Sequence, residues 1–231
     1  LIMGLREYSD WNVRIDDSSI EPYKKYTFIC EGQVTEIAYI KHLIKIQKKL
    51  GVHPNIDISV LERTDEDESI SAPIRLVEFG KEHKRNENFD KDRDTIIILF
   101  DAEVFENKDS IYYNRVLNNG RLEGFEFGVT NPCFELFLLL HYKDGFTQHI
   151  KPHLQDFLSS KGLKDRLANS ILRKVSNINP KKNRNIGVLA ESVITAIKEE
   201  KNLNQNIDDC KGKVTSNIGS ILESILNETD C

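Results

Sequence analysis

Residues 95–103 read T-I-I-I-L-F-D-A-E. The stretch from Ile96 to Phe100 has no polar position, which fits a strand covered on both faces, as in the middle of a parallel sheet. The apolar run stops at Asp101, and a second acid, Glu103, follows two residues on. Side chains two apart in an extended chain point the same way, so both carboxylates are expected together at the carboxyl end of this strand.

Toward the N-terminus, K-K-Y-T-F-I-C at 24–30 reads as another strand, broken by Glu31-Gly32. Thr35 is placed to cap a helix running to about Leu50, with Ile37, Ile40, Leu43 and Ile44 on its apolar side and Gly51 at its end. I-D-I-S-V-L at 56–61 is a further strand, Glu62 to Glu68 an acidic loop, and 70–83 a helix despite Pro73. Beyond the central strand, a helix is expected at 108–118 and a strand at 123–129. Asn131-Pro132 then opens an apolar helix to Tyr142, with asparagine as N-cap and proline at the first position. Alternation of strand and helix predicts an α/β fold over 21–150, with a mostly parallel sheet and flanking helices. The first twenty residues are polar and read as an arm. Past Gly145 and Pro152 the pattern at 151–231 is helical (153–160, 162–176, 185–201, 208–227), with no strand predicted.

Composition sets limits on partners. The 231 residues are 39% hydrophobic and 30% charged, with net charge −5, as in a folded globular protein. The longest apolar runs, 96–100 and 136–140, fall far short of the roughly 20 residues of a membrane-spanning helix. The opening L-I-M-G-L-R-E-Y-S-D lacks the basic and apolar regions of a secretory signal, so a cytoplasmic location is expected. Four separated cysteines without a C-x-x-C pair suggest structural thiols in a reducing compartment. The charge is uneven: residues 1–150 carry 19 basic and 27 acidic side chains, and 151–231 carry 13 and 10. Eight basic residues crowd 161–184, and Lys174, Lys181, Lys182 and Arg184 are the candidate nucleic-acid contacts; a solvated helix face is the alternative.

In doubly wound sheets, sites lie outside the carboxyl ends of the strands. Glu31, Asp101 and Glu103 all fall there, and three carboxylates suit Mg²⁺ or Mn²⁺; the alternative is acids in solvent-facing loops. Glu135, near the start of the apolar helix, is either a further ligand or a partner of the helix dipole. Glu36 reads better as a charge at a helix start than as a catalytic group, and His141 better as a satisfied interior histidine than as a phosphate contact. E-G-Q-V-T-E is neither a P-loop nor a dinucleotide fingerprint, which argues against nucleotide binding of those two kinds.

Three segments together resemble a known family. I-C-E-G-Q-V-T-E-I-A-Y-I at 29–40 is similar to the C-E-G-x-x-T-E-x-x-Y-F opening of RloB-like proteins. L-F-D-A-E-V-F at 99–105 stands where that family has F-D-x-D, and T-N-P-C-F-E-L-F-L-L-L-H-Y at 130–142 resembles its S-N-P-x-F-E-L-W-L-L-L-H-F. The family looks like a branch of the Toprim superfamily and occurs beside bacterial and archaeal antiphage systems. The resemblance implies a Toprim-like fold and a metal-dependent nuclease acting on DNA or RNA. It puts Glu31 and the pair Asp101 and Glu103 in the metal and catalytic roles, and allows a protein partner from a defence system. Glu103 keeps the charge of the family's second aspartate but reaches one methylene further.

Overall fold

The computed structural model describes residues 5–9, 23–63, 72–102, 110–159 and 166–228. Six strands form one sheet: β1 (Leu5–Ser9), β2 (Lys24–Cys30), β3 (Ile56–Arg63), β4 (Thr95–Asp101), β5 (Glu126–Asn131) and β6 (Thr215–Ser216). Their order across the sheet is β1-β3-β2-β4-β5-β6. β3, β2, β4 and β5 run parallel, and the two edge strands pair antiparallel. The fold is thus α/β with a mostly parallel sheet, as the alternation predicts. Eight α-helices among the described residues flank it: α1 (Thr35–Ile46), α2 (Pro73–His83), α3 (Ser110–Leu122), α4 (Phe134–Leu139), α5 (Leu154–Ser159), α6 (Leu167–Ser176), α7 (Val193–Glu200) and α8 (Ile218–Leu226). Among the described residues, no helix is long and apolar enough to cross a membrane.

The unbroken apolarity of β4 has its explanation in two separate cores. Ile97 and Leu99 face the core shared with α1 and α4, while Ile96, Ile98 and Phe100 face the one built with α2 and α3. All five are at most 3% exposed, so polar alternation has no place on this strand. The first core continues through α6, α7 and α8, with Leu172, Ala196, Ile197 and Leu222 among its buried members. Residues on both sides of position 150 therefore bury their apolar surface in common.

Several elements differ from their sequence-based outlines. Leu5–Ser9, inside the expected polar arm, pairs with β3, and Ser9 Oγ donates to Asp57 Oδ1 at 2.6 Å. The segment 208–227, read as one helix, holds a 3-10 turn, β6 and then α8. Thr215 and Ser216 pair with Asn131 and Thr130, an edge too short to show an alternating pattern. Asn131 is the last residue of β5 rather than the helix cap. Its amide donates to the carbonyls of Cys210 (2.9 Å) and Lys213 (2.7 Å), so it ties β5 to the C-terminal loop. The Asn131-Pro132 peptide is cis, and Cys133 takes the N-cap position.

The chain leaves β2 toward β3 on one side and returns to β4 on the other. The strand order thus switches direction between β2 and β4, and a crevice opens beyond their carboxyl ends.

Candidate functional site

That crevice is a cavity of about 330 Å³, lined by Glu31, Glu36, Asp101, Glu135, Arg166 and Lys181 around the Gly32–Thr35 turn. Each acid arrives on a different element. Glu31 follows β2, where its amide donates to Leu99 O at 2.9 Å and continues the ladder. Asp101 ends β4 opposite Thr130, whose hydroxyl donates to Asp101 Oδ1 at 2.7 Å. Glu36 lies in the first turn of α1 and Glu135 in the first turn of α4. Glu31 turns inward, its Oε2 accepting the Asp101 amide at 2.9 Å. Asn169 on α6 donates to Glu135 Oε1 at 3.5 Å.

Gly32 has a steric reason to be glycine. A Cβ at that position would overlap the Glu36 carboxylate where it now stands, so any side chain at 32 displaces that carboxylate from beneath the turn. Thr35 is not the cap of α1. Val34 holds that position, and the Thr35 hydroxyl donates instead to Pro180 O at 3.0 Å, tying the helix start to the loop that carries Lys181.

Two arginines meet the acids. Arg166, at the N-cap of α6, reaches Asp101 Oδ2 at 3.3 Å and Pro132 O at 3.4 Å. Arg63, at the end of β3, donates to the backbone carbonyl of Glu31. Even so, negative charge is in excess. Burial, and then the neighbouring Asp101 charge, push the Glu31 carboxyl up to about 8. Burial followed by the charges of Asp101 and Glu135 pushes Glu36 up to about 8. Asp101 is raised to about 6, by burial and Glu135, against the pull of Arg166 and Thr130. Enclosed carboxylates of this kind hold protons or a cation between them. The donor set is all oxygen, the chemistry that Mg²⁺ and Mn²⁺ prefer.

As the side chains stand, no three His, Cys, Asp or Glu among the described residues form a ready ligand group. The reason is visible in the bonds: the Glu31 Oε2 and both Asp101 oxygens are already engaged. A cation would enter by drawing Asp101 away from Arg166 and rotating the glutamates toward it.

The structure thus brings Glu31, Asp101 and Glu135 together and adds Glu36, read from sequence as a helix-start charge. Glu103 lies outside the described residues. Of the basic candidates, Lys181 lines the carboxylate cavity. Arg184 lines a neighbouring cavity, and Lys174 and Lys182 are exposed and line neither. His141 is the interior histidine that the sequence favours. It is 4% exposed, with Nε2 at 2.8 Å from the Tyr39 hydroxyl and Nδ1 at 3.1 Å from Phe137 O. Burial pushes it down to about 4. Cys30 and Cys133 are fully buried thiols, pushed well up by desolvation, so neither is poised as a nucleophile.

A family model described as RloB-like protein matches residues 26–225. The chain belongs to the RloB-like family. No curated protein and no solved structure matches it. The RloB-like match takes in the strand ends that carry Glu31 and Asp101, both helices that carry Glu36 and Glu135, and the segment with Arg166, Lys181 and Arg184. The fold joins motifs that are far apart in sequence: Tyr39, from the first, bonds His141, from the third, while Glu36 and Glu135 line one cavity. Sequence reasoning missed Arg166, Arg63 and Thr130. For Glu36 the signal was Gly32, whose missing side chain leaves room for the carboxylate four residues on.

Proposed function

We propose that this RloB-like chain is a metal-dependent nuclease of the Toprim type that hydrolyses phosphodiester bonds in DNA or RNA, in antiphage defence. The observation that carries the reading is the meeting of Glu31, Glu36, Asp101 and Glu135 at the switch point of the sheet, with Glu31 and Glu36 pushed up to about 8. A bound Mg²⁺ or Mn²⁺ supplies charge neutralisation at a phosphate oxygen and acidifies water. Asp101 and Glu31 would hold the cation, with Glu135 and Glu103 as further oxygen donors. Glu36, enclosed beneath the Gly32 turn, would in its ionised form take a proton from the attacking water, a role that its rise to about 8 places on the alkaline side of neutrality. Arg166 shifts from Asp101 to the negative phosphate, and Lys181 at the rim draws the strand in.

The test is cleavage of single-stranded DNA, duplex DNA and a tRNA pool with Mn²⁺ or Mg²⁺. Wild-type protein cuts at least one of them and Asp101→Ala does not; full cutting by Asp101→Ala overturns the assignment of the site.

A second reading, a noncatalytic nucleic-acid- or partner-binding subunit of a defence complex, draws on the Arg166–Asp101 ion pair. That pair neutralises the carboxylate at 3.3 Å without a metal. Binding of nucleic acid in EDTA with no cutting of any substrate in Mn²⁺ would favour it.

A further inference from the structure

A second cavity, of about 150 Å³, opens on the other side of the Gly32–Gln33 turn. Its walls include Cys30, Ile37, Leu61, Glu62, Arg63 and Arg184. The two cavities share Gly32 and Gln33, so they adjoin at that turn. The smaller one lies well below the roughly 300–1,000 Å³ of pockets that enclose a whole small molecule. Its size suits a single tetrahedral anion with some of its water.

The chemistry of the walls points the same way. Glu62, the one acid in the lining, is paired with Lys41 at 2.5 Å, which leaves the two arginines as the net charge of the cavity. Arg63 is held by the Glu31 carbonyl, which fixes its guanidinium at the carboxyl end of the sheet. Arg184 is exposed but stands on a fixed support, the 3-10 helix Arg184–Ser192. There Asn183 accepts from the Asn185 amide at 3.0 Å, and a Cβ at Gly187 would collide with the Ala38 carbonyl, so the helix lies directly on α1. Two guanidinium groups, each a planar fork of N–H donors, match the nonbridging oxygens of a phosphate.

We propose that the Arg63–Arg184 cavity is a phosphate subsite that holds the backbone phosphate next to the one at the carboxylate cavity. The assignment to a strand rests on the nuclease reading, whereas the anion chemistry stands on the two arginines. The strand lies across the Gly32–Gln33 turn, and the two arginines meet its phosphates, a contact that carries no sequence information.

The experiment measures binding of fluorescein-labelled single-stranded DNA and RNA of about 12 nucleotides to the full chain in EDTA, over a series of salt concentrations. Arg184→Ala is expected to weaken binding roughly 3- to 10-fold and to lower the slope of log affinity against log salt by about 0.7, the loss of one phosphate contact. Arg184→Lys keeps the slope, and Lys91→Ala, in the exposed turn that leads into β4 at the opposite end of the sheet, leaves both quantities unchanged. Arg184 is exposed, so the melting temperature of Arg184→Ala stays at the wild-type value and folding does not confound the result. An Arg184→Ala slope equal to wild type overturns the subsite, and so does failure of the wild type to bind either oligonucleotide at low salt. Displacement of the oligonucleotide by pyrophosphate at equal phosphate concentration, lost in Arg184→Ala, overturns the strand assignment in favour of a free polyphosphate. The two readings separate cleanly. Loss of slope in Arg184→Ala without any cleavage by wild type supports the subsite and sinks the nuclease; an unchanged slope with Asp101-dependent cleavage does the reverse.

Discussion

Replacing Glu36 by glutamine removes one negative charge from the crevice while keeping the shape of the side chain. In the folded chain the Glu36 carboxyl is pushed up to about 8, first by burial and then by Asp101, Glu135 and Glu31; its ordinary value is 4.5. Between those two values the folded state binds more protons than the unfolded state. Stability is therefore fully present below about pH 4.5 and is lost as the pH rises through 8. At about 1.4 kcal/mol per pH unit, complete ionisation costs at most on the order of 5 kcal/mol. Glu31 is raised by the same crowding, so one substitution recovers roughly 2–3 kcal/mol of it. Urea unfolding in EDTA is the assay. Wild type loses stability from pH 5.5 to pH 8.5, and Glu36→Gln loses less, overtaking wild type at the alkaline end. Added Mn²⁺ restores the wild type at pH 8.5 and restores the variant less, because a cation and a proton balance the same charge. Parallel pH profiles for the two proteins would show that Glu36 does not carry this repulsion.

Other perturbations probe the surroundings of the site. Gly32→Ala drives a Cβ into the space of the Glu36 carboxylate, so nuclease activity and Mn²⁺ binding fall at least tenfold (about 1.4 kcal/mol) while the urea midpoint moves little. Tyr39→Phe leaves His141 Nε2 without its 2.8 Å partner in a dry interior and costs about 1–3 kcal/mol in urea unfolding. Glu200→Ala strips acceptors from Ser216 Oγ (2.5 Å) and from the Gly219 and Ser220 amides (both 2.9 Å) at the start of α8. A loss of about 3 kcal/mol and protease cleavage near 205–220 are expected, detectable by unfolding and by mass spectrometry of the fragments.

The fold was legible because its driving signal is local. Ile96–Phe100 has to be covered on both faces, and the glycine and proline breaks place the neighbouring elements within a few residues. Glu31 and Asp101 were legible for the same reason, since a strand that ends in an acid at the switch point exposes that acid to the crevice. Asn131 misled, because an asparagine before a proline satisfies the local rule for a helix start while its amide is committed to Cys210 and Lys213, about 80 residues on. Glu36 misled through its position in a first helical turn, where an acid has a sufficient local explanation. Its real surroundings come from β4 and α4. Arg166 stood in the sequence only as one of the eight basic residues of 161–184: its pairing with Asp101 is set by the packing of α6 against α4, a long-range contact that no spacing encodes.

The bond from Thr35 to the Pro180 carbonyl has a temporal side. The four acids lie between positions 31 and 135, while Arg166, Lys181 and Arg184 come after them. During synthesis the acids leave the ribosome first, with Arg63 among them but no Arg166 or Lys181 to face them and no Pro180 to fix the start of α1. The basic side of the crevice is added only when the last third of the chain has emerged, so in the nuclease proposal the grip on a polyanion arrives late. A half-made chain, still tethered to its own message, carries a cluster of carboxylates that repels it.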